Sequence, residues 1–157
     1  MVVAQSPSDN QLIKMADDAY KEIESDIPRQ KIMEDRILAV MVALSVDNQV
    51  FFASSMKGSN YVYKKIDGDG KLTPNIEGVP GAEQLQKALE DCMKQDADKQ
   101  HKNNAMCGEI MATYTWLLNH KGQDLKNKSP KPRIVAWNGK IKKVIDPCST
   151  SKSTDSE

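Results

Sequence analysis

The stretch RILAVMVALSVDNQVFFAS, residues 36–54, decides how this chain folds. Its first part, Arg36–Val46, is an almost continuous apolar run, which by itself fits either a buried helix or a buried strand. Asp47 and Asn48 then follow, and both residue types tolerate the backbone angles of a tight turn. A second apolar segment, QVFFAS, comes directly after them. The sequence therefore predicts a strand, a turn and a second strand that form an antiparallel hairpin.

Helical patterns lie on both sides of this hairpin. Ser8 is typical of a helix start, and Gln11 is spaced to form a capping box with it. After the hairpin, residues 81–95 repeat apolar residues at helical spacing, with Ala88 on the apolar stripe. Residues 105–120 show a similar amphipathic pattern. We therefore expect one helix before the hairpin and two after it.

A second hairpin is predicted by RIVAWNGKIKKVI, residues 133–145, where an Asn-Gly pair separates two β-rich runs. Together these elements predict an α/β fold in which a small sheet of antiparallel hairpins packs against helices. A chain of 157 residues fits a single domain over residues 1–157. Residues 1–8 and 149–157 are expected to be flexible tails.

The charges balance over the whole chain but not along it. There are 22 Lys and Arg residues against 22 Asp and Glu, so no net charge drives binding to nucleic acid or membrane. No apolar stretch is long enough to span a membrane, and no membrane partner is expected. The segment 121–143 is basic, and it is interpreted either as a solvated surface or as a patch that contacts the phosphates of a nucleic acid. The candidate contacts are Lys126, Lys128, Lys131, Arg133, Lys140, Lys142 and Lys143.

The cysteines and the first residues bear on localisation. The opening MVVAQSPSDN is similar to the residues around a signal-peptidase cut with a Met placed in front, which favours a secreted, extracellular protein. The three cysteines, Cys92, Cys107 and Cys148, leave one over if two of them pair. In a reduced protein they could instead bind a metal.

Cys107, Gly108 and Glu109 open the third predicted helix and suggest zinc chemistry. A thiolate in a first helical turn is stabilised by unpaired backbone N–H groups and by the helix dipole, so Cys107 is a suitable metal ligand. Glu109 could take a proton from a metal-bound water and pass it on. Gly108 between them keeps the approach open. The second half of such a site is Asp146–Cys148, where the proline favours a helix start and presents another thiol.

A Cys-x-Glu at a helix start, followed by a strand and then Pro-Cys, resembles the zinc-dependent cytidine deaminase superfamily. The chain is most similar to the deaminase domains of secreted bacterial toxins and their fungal relatives, over residues 36–148. The resemblance implies a cytidine deaminase-like topology. It implies that Cys107 and Cys148 are zinc ligands and that Glu109 is the catalytic proton shuttle in hydrolysis of an amidine C–N bond.

The chain departs from this family after Pro147-Cys148. The family's third ligand falls at position 151, where this sequence has Ser151, and only nine residues follow Cys148. A neutral hydroxyl replaces a thiolate poorly, so loss of this ligand should weaken zinc binding greatly. The pattern is therefore interpreted as degenerate or truncated. Without a metal, Cys107 and Cys148 would be placed to form a disulfide instead.

Three functions remain open from the sequence. The preferred hypothesis is a non-catalytic secreted deaminase-like protein, for instance an effector that binds a host protein. The second is an active zinc-dependent deaminase of nucleobases or nucleic acids, in which Trp116 or Trp137 could stack on a base. The third is an unrelated binding domain made of helices and hairpins.

Overall fold

The computed structural model describes residues 1–30, 39–55, 63–65, 72–74, 76, 79–95 and 107–146, and only the backbone at 27–30, 63–65, 72–74 and 92–95. Along these ranges the helices are α1 (Asp9–Gln30), α2 (Glu83–Gln95) and α3 (Gly108–Asn119). The strands are β1 (Val40–Val46), β2 (Gln49–Ser54), β3 (Tyr63–Lys65), β4 (Leu72–Pro74), β5 (Arg133–Asn138) and β6 (Lys143–Ile145).

Four of the strands form one antiparallel sheet with the order β2-β1-β5-β6, and β3 pairs with β4 in a separate ribbon. The hairpin predicted around Asp47 is confirmed, since Val46 pairs with Gln49 and Asp47 takes a positive φ of 54°. The second predicted hairpin is also present, with β5 and β6 antiparallel. The α/β class is therefore confirmed as a small four-stranded antiparallel sheet with three helices. The deaminase-like topology stays a prediction.

The pleat of β1 divides the core between two faces of the sheet. On one face, α1 packs against alternate strand residues, and this cluster contains Leu12, Ala16, Tyr20, Met41, Ala43, Val50 and Val135. On the other face, α3 covers the intervening residues and α2 joins the same cluster, which includes Val42, Leu44, Val46, Leu85, Leu89, Met111, Trp116, Leu117 and Ala136. Each fully buried leucine or valine in these clusters contributes about 1.5–3 kcal/mol by leaving water.

The start of α1 and most of the apolar stripe of α2 agree with the prediction from the sequence, and one residue of that stripe does not. The capping box before α1 is confirmed, because the Ser8 N–H donates to Gln11 Oε1 at 2.7 Å and the Gln11 N–H donates to Ser8 Oγ at 3.4 Å. The predicted stripe of α2 is correct at Leu85 and Leu89, which are buried, but wrong at Ala88, which is exposed. Helix α2 therefore buries a narrower face than its apolar spacing suggested.

Residues 1–3 run along the outer edge of β2. Val2 forms an isolated β-bridge with Gln49, and the backbone N–H of Val50 donates to the Met1 carbonyl oxygen at 2.8 Å. The terminal amine of Met1 donates to the Val50 carbonyl oxygen at 2.9 Å. Part of the segment 1–8, for which the sequence predicts a flexible tail, is therefore hydrogen-bonded in the structure. The other expected tail, residues 149–157, lies outside the described residues.

Candidate functional site

Helix α3 begins with the residues that the sequence selects for metal chemistry. Cys107 is the N-cap, with φ −71° and ψ 156°, and its carbonyl oxygen accepts a hydrogen bond from the Met111 N–H at 3.1 Å. Cys107 is only 6% exposed, whereas Glu109 in the first turn is half-buried. The thiol and the carboxylate thus belong to one helix N-terminus, where backbone N–H groups favour negative charge.

Gly108 allows this end of α3 to lie directly on the sheet. A Cβ atom at this position would stand 2.6 Å from Val42 Cγ2 and 3.2 Å from the Ala53 carbonyl oxygen. No real Cβ contact is as short as 2.6 Å, so a larger residue would force α3 away from β1 and β2. From the sequence, Gly108 is expected to leave space for a metal to approach Cys107. In the structure, Gly108 instead allows α3 to pack closely against the sheet.

The other expected ligand, Cys148, lies outside the described residues. Within them, Ile145 pairs with Ala136, which pairs with Val42, so these three residues form one row across the sheet. Val42 is the residue on which Gly108 rests.

The opposite end of α3 carries a stack of aromatic and charged side chains. The rings of Trp116 and His120 are parallel within 8°, with centroids 4.7 Å apart, and Phe51 meets the imidazole edge-on at 5.8 Å. His120 Nδ1 lies 2.9 Å from the Trp116 carbonyl oxygen, so Nδ1 carries the donated proton. Lys128 Nζ lies 5.6 Å from the Trp116 ring centroid and 2.9 Å from Asp47 Oδ2. Trp116 is 1% exposed, which assigns it to the core and leaves no open face for a nucleobase.

The predicted phosphate contacts separate into two groups at the two ends of β5. Four precede the strand or begin it, and three follow it: Lys126, Lys128, Lys131 and Arg133, and then Lys140, Lys142 and Lys143. A strand of this length spans about 20 Å, so the groups do not form one continuous patch.

Several of these cations are also held within the protein. Lys128 pairs with Asp47, and Arg133 donates to a backbone carbonyl at 3.1 Å. Lys142 Nζ lies 3.0 Å from Asp17 Oδ1. Surface pairs of this kind contribute about 0–1 kcal/mol each, but they neutralise charge that a phosphate would otherwise meet.

A polar cluster on the α1 face carries no motif, and sequence reasoning missed it. Asp17 Oδ1 accepts hydrogen bonds from the Trp137 indole N–H at 2.9 Å and from Lys142 Nζ at 3.0 Å. Its other oxygen, Oδ2, lies 2.5 Å from Lys21 Nζ, one helical turn along α1. The hydrogen bonds from Lys21 and Lys142, followed by that from Trp137, hold the pKa of Asp17 well below its usual range. We call these four residues the Asp17 cluster. It joins α1 to the β5–β6 hairpin.

One weak signal for the Asp17 cluster was visible in the sequence. Asp17 and Lys21 stand four residues apart on a predicted helix, a spacing that favours an ion pair. Nothing local links them to Trp137, which is more than a hundred positions away. The register of β1 with β5 brings Trp137 beside Met41 on the α1 face, and only that register creates the cluster.

No three described side chains of the types that bind metals come together, and no disulfide joins two described residues. Cys107 is the one cysteine whose side chain lies in the described ranges, and Ser151 lies outside them.

Comparisons with protein-family models, with curated proteins and with solved structures find no match for this chain. Among the described helices, none combines the length and the apolar character that crossing a membrane requires. The candidate site therefore rests on its own geometry.

Proposed function

We propose that this chain is a non-catalytic secreted protein that folds on a degenerate deaminase-like scaffold and binds a host protein. Its element order supports the scaffold. A helix precedes the central hairpin, and α3 then lies on the sheet face opposite α1. That helix opens with Cys107, Gly108 and Glu109, the residue types that carry the resemblance.

The observation that carries the non-catalytic assignment is Ser151, at the place where the family supplies its third thiolate. Catalytic zinc sites use three protein ligands and leave one position for water. Two thiolates alone would hold zinc weakly, because each ligand contributes a large share of the binding free energy. The burial of Cys107, at 6% exposure, also favours a structural thiol over an open metal site.

Metal content and ammonia release test this proposal together. Protein purified without chelators should contain far less than one zinc atom per chain, and it should release no ammonia from cytidine, adenosine or single-stranded DNA. Stoichiometric zinc with ammonia release would overturn the proposal and establish an active deaminase.

A thiol titration in denaturant tests the disulfide that a metal-free secreted form implies. The sequence holds three cysteines, so pairing of Cys107 with Cys148 leaves one thiol that reacts. We expect that single thiol, and its position, Cys92, can be read by mass spectrometry after alkylation. Three reactive thiols without zinc would instead favour the unrelated binding domain.

The second candidate function, zinc-dependent deamination, is favoured by one geometric observation. Cys107 and Glu109 share the first turn of α3, with the carboxylate half-exposed and able to serve a bound water. If zinc is found, Glu109→Ala should abolish ammonia release and leave the metal bound. Glu83→Ala is the matched control, because Glu83 occupies the first turn of α2 and should leave both readouts unchanged.

A further inference from the structure

The two edges of the four-stranded sheet differ in what covers them. The outer edge of β2 is hydrogen-bonded to residues 1–3 of the chain itself. In the described part of the chain, no strand lies beside the outer edge of β6. Successive residues of a strand direct their N–H and C=O groups alternately to the two sides, so β6 presents backbone groups outward. An edge of this kind can pair with another extended segment.

The side chains around β6 combine exposed apolar and basic groups. Ile141 is 59% exposed and Val144 is 50% exposed, although both are apolar. Lys140 and Lys143 are exposed on the same hairpin, whereas Lys142 in the turn between them is held by Asp17. Ile141 and Val144 are therefore available to contact a partner that binds at this hairpin.

We infer that the outer edge of β6 is a docking strand for an extended acidic segment of a partner protein. This inference rests on the proposed binding function and names the surface through which binding occurs. The partner segment adds a strand to the sheet by main-chain hydrogen bonds. Its side chains then lie opposite those of β6, about 5 Å away between Cβ atoms.

The register of β6 specifies the pattern of side chains that the partner needs. Val144 pairs with Trp137 on the α1 face, whereas Lys143 pairs with Asn138 on the α3 face. An added strand therefore places an apolar side chain beside Val144 and an acidic one beside Lys143. A partner segment in which acidic and apolar residues alternate therefore matches both Val144 and Lys143.

A second copy of this chain matches the edge less well than an acidic segment does. Two β6 strands paired antiparallel about Val144 would set each Lys143 opposite Ile145, so neither copy would present an acidic side chain to it. Lysines on an edge strand are also a common feature that limits self-association. An acidic segment meets Lys143 with the opposite charge.

A short capped peptide of alternating glutamate and valine is the probe that tests this docking. Added to the full-length protein, it should shift the amide NMR signals of Lys143–Ile145 and the indole N–H of Trp137, and leave those of β2 in place. The same glutamate–valine peptide with every backbone nitrogen methylated keeps the charge and the side chains but has no N–H to donate, so it should not bind. Equal binding of both peptides would show charge attraction without strand pairing and would overturn the inference.

Charge reversal supplies the matched control. Lys140→Glu with Lys143→Glu should lower the affinity for the glutamate–valine peptide about tenfold and should create affinity for a lysine–valine peptide. Lys87→Glu with Lys126→Glu changes the net charge equally at exposed positions away from β6, and should change the affinity by less than about twofold.

Three outcomes would contradict the docking: no binding of the glutamate–valine peptide, an unchanged affinity after charge reversal, or binding only to phosphatidylserine vesicles or single-stranded DNA. Zinc content and ammonia release test the proposed function, whereas peptide binding tests the docking strand. The two results are independent, so an active enzyme that binds the peptide can be told apart from an inactive protein that does not.

Discussion

The two faces of the sheet each bring a helix into close contact through a glycine, but they do so in opposite ways. On the α3 face the glycine belongs to the helix, and Gly108 rests on Val42 and Ala53 of the strands. On the α1 face the glycine belongs to the turn after β5, and the ring of Tyr20 from α1 lies against Gly139. Both contacts leave no room for a Cβ atom.

The faces also differ in how polar groups fix them. The α3 face carries the residues that suggest chemistry, yet apolar packing holds the helix there. The α1 face carries no motif, yet Asp17 is hydrogen-bonded from Trp137 and Lys142 across two elements. The face with the sequence motif is therefore not the face with the polar side-chain network. Substitutions on each face should differ accordingly in their effect on stability.

Gly139→Ala should have the largest effect. The new Cβ atom would stand 2.2 Å from Tyr20 Cδ1, with two more ring atoms at 2.4 Å, and the ring is fixed in the core. We expect the free energy of unfolding in urea to fall by about 3 kcal/mol, at the upper end of overpacking costs. In the background of Tyr20→Leu, the same change should cost much less. Additive losses would mean that the ring and Gly139 do not touch.

Gly108→Ala should be the next most damaging change. Its Cβ atom would meet Val42 Cγ2 at 2.6 Å, and a side-chain methyl yields more readily than a ring clamped between α1 and the turn. We expect a loss of about 2 kcal/mol in the free energy of unfolding. Val42→Ala in the same chain should recover part of it. A loss below about 0.5 kcal/mol would contradict the close packing of α3 on β1.

Asp17→Asn should destabilise the α1 face in a pH-dependent way. Because the pKa of Asp17 is lowered in the folded protein, its stabilising contribution is fully present above the unfolded pKa, about 3.9, and is lost as the pH falls toward the folded value. The variant should unfold about 1–2 kcal/mol more easily at pH 7, and this difference should shrink steadily below pH ~4.

Asp18→Asn is the control for that experiment. Asp18 pairs with Lys14 at 2.7 Å on the exposed side of α1 and makes no contact with the hairpin in the described structure. Its removal should change the free energy of unfolding by less than about 0.5 kcal/mol at pH 7. If both variants behave alike between pH 7 and pH 3, the Asp17 cluster does not tie α1 to β5 and β6.

Ser45→Ala should have the smallest effect, and in the stabilising direction. Ser45 lies on the α1 face of β1 at 2% exposure, and its hydroxyl has no hydrogen-bond partner among the described residues. Removing an unsatisfied buried hydroxyl should raise the free energy of unfolding by about 0.5–1 kcal/mol. Thermal unfolding followed by circular dichroism can detect this change. A lower melting temperature would indicate that Ser45 has a partner in solution.

Local patterns allowed most of the elements to be predicted. The hairpin of β1 and β2, the capping box at Ser8 and the Cys107 helix start each depend on neighbours within a few positions. Ala88 shows the limit of such patterns, because periodicity places it on the apolar stripe while the position of α2 leaves it exposed. The site was predictable only as far as its residues share one helical turn. Whether Cys148 joins them stays a prediction.

The sequence by itself determined the helices, the hairpins and the presence of a thiol and a carboxylate in the first turn of α3, because these follow from residues close along the chain. The tertiary structure alone decided that Gly108 is a packing contact, that Trp116 is buried and that Asp17 binds Trp137. It also divided the basic segment between the two ends of β5. These facts depend on strand register and on which helix covers which face, and both are set by burial summed over the whole core.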